Sequence, residues 1–120
     1  MTVELKKEFR FEAAHRLPRV PPAHKCARLH GHSFKVDVVL SGHVDPARGW
    51  LVDYAEVDLA FAPLFAELDH RCLNDIEGLD NPTSEVLAAW IFDRLRPRLP
   101  MLVAVVVHET ADACCTYRGS

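Results

Sequence analysis

The 120-residue sequence predicts a single-domain α+β fold with elements in the order ββααββ. Three patterns carry that reading. Two stretches near the N-terminus, 3–13 and 32–42, alternate apolar and polar residues at the period of a half-buried strand. Two stretches in the middle space their apolar residues as amphipathic helices do. A β-branched run from Met101 to Glu109 reads as a well-buried strand.

In the first strand Val3, Leu5, Phe9, Phe11 and Ala13 share one parity, against Glu4, Lys6, Glu8, Arg10 and Glu12 on the other, with Lys7 interrupting the apolar face. Pro18, Pro21 and Pro22 make 17–25 a loop, because proline cannot donate to a ladder. Phe34, Val36, Val38 and Leu40 give the second strand its inner face, with Lys35, Asp37 and Ser41 opposite. The two strands are expected to pair as an antiparallel hairpin with a long connection. Gly42, Pro46 and Gly49 mark a turn or loop over 42–50. Val57, Phe61, Leu64, Phe65 and Leu68 then form a helical stripe, and Pro63 inside it removes a bond to the Leu59 carbonyl, which predicts a kink or two short helices. Residues 69–83 are polar and turn-rich, unlike core. The second helix starts with either Asn81 or Thr83 as its cap, buries Leu87, Trp90, Ile91 and Leu95, and stops near Pro97 or Pro100. A short strand around Cys114 to Tyr117 closes the order.

Composition excludes several function classes. Nearly half the residues are hydrophobic, enough for one core, and the net charge of −3 with no basic run gives nucleic-acid binding no electrostatic support. No apolar run reaches the length of a membrane span, and residues 1–7 lack a signal-peptide pattern. Four cysteines, two of them the adjacent Cys114 and Cys115, suit free thiols in a reducing compartment, so a cytoplasmic protein is expected.

The chemistry concentrates in Cys26-Ala-Arg-Leu-His30-Gly-His32. His30 and His32 are two apart and project from one face of an extended chain. Gly31 between them permits close backbone approach. His15 has the parity of the first strand's inner face, and the hairpin would bring it beside them. Three imidazoles leave a fourth coordination position open, the arrangement of catalytic zinc, although the residues do not separate Zn2+ from other divalent ions. Cys26 stands next to this set as a base or nucleophile, since a thiol beside a metal gains thiolate character. Taken alone, His-x-His is a weak signal and a lone cysteine is more often an inert buried thiol. His24 and His43 read as solvated loop residues, His108 is unassigned, and Cys72, Cys114 and Cys115 have no ligand-spacing partner.

Five motifs taken together carry a resemblance: Phe11-Glu-Ala-Ala-His15-Arg-Leu17, Cys26-x3-His30-Gly-His32, Leu68-Asp69-His70-x2-Leu73-Asn74, Asn81-Pro-Thr83-x-Glu85, and Glu109-Thr110. In this order the sequence resembles the 6-pyruvoyltetrahydropterin synthase superfamily along its whole length. Within it, the three-residue gap between Cys26 and His30 is similar to the 6-carboxytetrahydropterin synthase branch of queuosine biosynthesis. The resemblance implies the tunnelling fold: a four-stranded antiparallel sheet with two helices on one face, joined edge to edge into a homo-oligomer of trimeric rings stacked as a hexamer, with active sites between subunits. It implies zinc on His15, His30 and His32, a catalytic Cys26, an acid–base pair of Asp69 and His70, and a pterin-anchoring Glu109. The implied reaction converts 7,8-dihydroneopterin triphosphate to 6-carboxy-5,6,7,8-tetrahydropterin, acetaldehyde and triphosphate. A carboxylate suits the anchor because a pterin presents an amino group and a ring N–H side by side. Neighbours such as Asp69 and His70 do not face each other on a regular helix, so a direct pair there requires a turn. The nearest basic residues for the triphosphate are Arg16, Lys25 and Arg28.

Overall fold

Two fourteen-residue strands, β1 (Thr2–His15) and β2 (His30–His43), frame the molecule. A computed structural model describes residues 1–120. The two strands pair antiparallel from Thr2–His43 to His15–His30 without a slip. Alternation fixes that register, because sliding one strand by a single residue would turn its apolar set outward. Further along come α1 (Tyr54–Leu68), a two-residue β3 (Arg71–Cys72), α2 (Ser84–Leu95), β4 (Leu102–Thr110) and β5 (Ala113–Tyr117). The sheet order is β3-β1-β2-β4-β5. Its four long strands are antiparallel neighbours, and both helices pack against it.

The core lies between sheet and helices. Phe11, Phe34, Val36, Val38 and Leu40 meet Val57, Phe61, Leu64 and Leu68 of α1 and Leu87, Ile91 and Leu95 of α2. Phe9 stacks on Phe61 with ring centroids 4.1 Å apart. Lys7, the break in the β1 pattern, reaches α1 and pairs with Asp58 at 3.0 Å. Both helices start on capping side chains: Asp53 accepts from the Ala55 N–H and Thr83 from the Val86 N–H, which settles the α2 start on Thr83.

Four expectations need correction. The sheet has a fifth strand, because Arg71–Cys72 runs parallel to β1 beside Ala13 and Ala14. Residues 69–83 do contribute core, since Leu73 and Leu79 are fully buried; isolated leucines between turns show no period to read. Phe65 is 42% exposed and faces out of α1, with Ala60 taking the inward position. Of the two outcomes expected at Pro63, a kink or two short helices, the second does not occur: α1 is one helix from Tyr54 to Leu68. The Leu59 carbonyl that Pro63 cannot serve accepts from Arg98 Nη1 at 3.3 Å, so a guanidinium takes the place of the lost backbone donor.

Leu40 is fully buried between sheet and helices. Leu40→Ala should lower stability by about 2–5 kcal/mol, read as a drop in the urea midpoint at unchanged slope.

Candidate active site and metal centre

The far end of the hairpin gathers three imidazoles. His15 lies opposite His30 and Ala13 opposite His32 in the ladder. All three histidines therefore share the face that carries Phe34. Their ring centroids are 4.6, 5.0 and 5.1 Å apart, and one nitrogen from each lies within 4.8 Å of the other two.

Their partners suit them to hold a cation. Backbone carbonyls only accept hydrogen bonds. His15 Nδ1 donates to the Pro82 carbonyl at 2.9 Å and His30 Nδ1 to the Arg28 carbonyl at 2.7 Å. Those bonds place the proton on Nδ1 and leave each Nε2 a free lone pair, the outer-sphere arrangement that orients metal-binding imidazoles. The Nε2 atoms of His15 and His32 are buried with no hydrogen-bond partner. An orphaned buried polar atom costs about 1–3 kcal/mol, and a shared cation would remove that cost. Burial lowers the pKa of His15, against the opposing pull of the Pro82 carbonyl and the Glu109 charge. That shift favours the neutral ring, the form that ligates a metal. The donor set fits a zinc-type ion.

Gly31 has a different role from the one expected. A Cβ there would sit 3.4 Å from the Ala13 carbonyl oxygen, an ordinary contact, so close packing does not demand glycine. Gly31 instead borders the clefts on both sides of the hairpin end.

One cleft, of about 400 Å³, brings Cys26 together with Lys25, His30, His32 and Glu109. Cys26 is half-buried on a short 3-10 turn, Lys25–Ala27. Its N–H donates to His24 Nδ1 at 3.0 Å and its carbonyl accepts from the Leu17 N–H at 2.8 Å. His24, an exposed loop residue as expected, also caps the cysteine turn. Glu109, at the end of β4, accepts from Ser84 Oγ at 2.9 Å. Its other oxygen is 3.2 Å from His32 Nε2, near enough for an ion pair but outside hydrogen-bond geometry. Of the basic residues named from sequence, Lys25 borders this cleft.

Asp69 and His70 sit elsewhere. Asp69 ends α1, and His70 follows with φ of +58°, the one non-glycine residue in left-handed backbone. That turn lets the neighbours face each other, with His70 Nδ1 2.7 Å from Asp69 Oδ2. Asp69 Oδ1 accepts the Glu12 N–H at 2.9 Å, and the His70 N–H donates to the Glu12 carbonyl. β1 therefore holds the pair on both sides. These bonds, first the Glu12 N–H and then His70, hold the Asp69 carboxyl below its usual pKa. His70 is exposed and opens on a second cleft of about 530 Å³, with Glu12, Ser33 and Cys72. Within one chain, then, Cys26 and Glu109 share one opening, His70 lines another with Asp69 bonded behind it, and His32 borders both.

Sequence reading missed several supports. The Pro82 and Arg28 carbonyls are backbone atoms and leave no trace in residue type. Ser84 lies in the first turn of α2, where its residue type does not announce a carboxylate partner twenty-five residues away. Asp37, 4% exposed, pairs with His108 at 2.8 Å across β2 and β4, which accounts for the unassigned histidine.

A carboxylate with a depressed pKa in the folded state stabilises the fold above its unfolded pKa, and that share is lost as pH falls through the folded value. Below about pH 4, wild type should lose stability partly through Asp69. Asp69→Asn should flatten that acid limb, measured as urea midpoint against pH.

Comparison with known proteins agrees with this geometry. The profile of the 6-pyruvoyl tetrahydropterin synthase family matches residues 4–120. The chain is 42% identical over 117 residues to 6-carboxy-5,6,7,8-tetrahydropterin synthase of Synechocystis sp., covering 92% of this chain and 89% of that one. It is 38% identical over 90 residues to dihydroneopterin monophosphate aldolase of Pyrococcus furiosus, covering 75% and 72%. The solved 6-pyruvoyl tetrahydropterin synthase of Caenorhabditis elegans superimposes with a TM-score of 0.92 at 31% identity, covering 100% of this chain and 97% of that one. The fold, the histidine cluster and a match running nearly from end to end lead to one conclusion: the chain belongs to the 6-pyruvoyl tetrahydropterin synthase family of enzymes.

Proposed function

We propose that this enzyme is a zinc-dependent carbon–carbon lyase, 6-carboxy-5,6,7,8-tetrahydropterin synthase. It converts 7,8-dihydroneopterin triphosphate to 6-carboxytetrahydropterin, acetaldehyde and triphosphate in queuosine (7-deazaguanine) biosynthesis, in the cytoplasm. The observation that carries the reading is the convergence of three imidazoles on one point, two of them oriented by backbone carbonyls, with His30 and His32 lining a cleft shared with Cys26 and Glu109. The likeness to the Synechocystis synthase and the short Cys26–His30 gap support this branch.

Each residue has a task in this scheme. Glu109 accepts from the amino group and the adjacent ring N–H of the pterin, a two-point, charge-assisted pairing that fixes its orientation. Ser84, already bonded to Glu109, holds the carboxylate in place. Cys26 takes a proton from the substrate side chain. His70, oriented by Asp69, donates or accepts a proton near neutral pH. His15, His30 and His32 hold Zn2+, which when bound supplies Lewis acidity toward the side-chain hydroxyl oxygens. Lys25 lies where it can meet the anionic end of the substrate.

The separate opening of His70 supports a shared site. His70 of one subunit would serve Cys26 of another within a homo-oligomer of trimeric rings stacked as a hexamer. β1 from Thr2 to Phe11 and all of β5 carry no strand on their outer edges. Open edges of this kind invite pairing with a second copy.

Incubation with 7,8-dihydroneopterin triphosphate, with every product identified by mass spectrometry, tests the reading. Release of acetaldehyde with 6-carboxytetrahydropterin supports it. A retained three-carbon side chain would instead indicate pyruvoyl-type chemistry, and a different aldehyde would match the P. furiosus aldolase relative. No turnover would leave a pterin- or metal-binding module. Freshly purified protein should carry about one zinc per chain, and His30→Ala should lose it. Cys26→Ala should keep the zinc and lose turnover by about 10²–10⁴-fold.

A further inference from the structure

Asn74 lines neither cleft described above, though the Cys72 thiol at the edge of the second lies 3.8 Å from its Oδ1, and its side chain joins the segments that build the metal site. Its Oδ1 accepts the Arg16 N–H at 2.9 Å, and its Nδ2 donates to the Arg16 carbonyl at 2.8 Å and the Asp80 carbonyl at 3.3 Å. Both donors and the acceptor of the amide are thus used, and its orientation is fixed by its partners. The place matters. β1 ends at His15, so Arg16 has left the ladder with β2. Asn74 pairs with both backbone groups of Arg16, as a neighbouring strand would.

Each of those bonds leads to the site. Arg16 directly follows the ligand His15. Asp80 stands two residues before Pro82, whose carbonyl accepts from His15 Nδ1 at 2.9 Å. Leu17, next along the chain, donates its N–H to the Cys26 carbonyl at 2.8 Å. One amide therefore fixes the backbone that presents His15, the segment that supplies its hydrogen-bond partner, and the residue before the one that tethers the Cys26 turn.

We propose that Asn74 is a positioning residue for the metal site: it sets where His15 Nε2 points and, through Leu17, where the Cys26 turn sits. This rests on the zinc reading above. Only an amide of this length fits the task. Aspartate keeps the acceptor for Arg16 but turns an oxygen toward two carbonyls. Alanine leaves all three backbone groups without their partner.

The test compares wild type with Asn74→Asp and Asn74→Ala. Zinc dissociation constants are measured by competition with a chromophoric chelator, and melting temperatures with and without zinc. Alkylation of Cys26 in the metal-free protein is followed by peptide mass spectrometry. Direct outer-sphere partners of metal-binding histidines typically contribute about ten- to a hundred-fold in affinity. Asn74 acts one step further out, through the Arg16 and Asp80 backbone, so both variants should bind zinc about tenfold more weakly. Their zinc-induced gain in melting temperature should shrink, and Cys26 should alkylate faster. A residue that merely held the fold would lower both melting temperatures alike and leave zinc affinity within about twofold; that result, in either variant, overturns the proposal. If Asn74→Ala does not fold, Asn74→Asp, which keeps volume and acceptor, decides alone. Failure of wild type to bind zinc would overturn the underlying metal-site reading, an outcome distinct from equal affinity in all three proteins.

Discussion

The fixed register between β1 and β2 is the constraint on which the rest of this molecule depends. Fourteen consecutive pairs run from Thr2–His43 to His15–His30 with no bulge. The same alternation that sends Phe11, Phe34, Val36 and Val38 into the core sends His15, His30 and His32 to one point at the hairpin's end. A slip of one residue would cost the core and scatter the imidazoles together. Folding free energy and the convergence of the histidines thus share one cause.

What surrounds the hairpin end is a set of polar tethers rather than more packing. Carbonyls of Pro82 and Arg28 orient two imidazoles, Ser84 holds Glu109, and His24 and Leu17 hold the Cys26 turn. Asp69 and His70 are fastened to both backbone groups of Glu12. These contacts draw on α1, α2 and the segment between them, so the helices both cover the sheet and place the site's side chains. His70 is the one non-glycine residue with positive φ, and that left-handed backbone lies where the His70 ring meets the Asp69 carboxylate.

Much of this was legible in the residues. Period-two alternation located β1 and β2, the helical stripes located both helices, and the β-branched run located β4. Parity and the expected hairpin pairing brought His15 to His30 and His32. The failures have physical reasons. β3 is two residues long and is held by bonds from Asp69 and His70 to Glu12, a tertiary arrangement with no local pattern. Leu73 and Leu79 reach the core from turns, where no period announces burial. Pro63 is accommodated in a single helix whose exposed Leu59 carbonyl meets Arg98, thirty-nine residues away. The separation of His70 from Cys26 is a fact of topology, invisible to motif spacing.

The account stands on three imidazoles meeting one cation. X-ray absorption at the zinc edge of the loaded protein examines that directly. Three imidazole nitrogens at about 2.0–2.1 Å, with an oxygen in the remaining position and no sulfur, are the expected ligands. A shell with one or two imidazoles, or a sulfur at about 2.3 Å from Cys26 serving as a ligand, would contradict it.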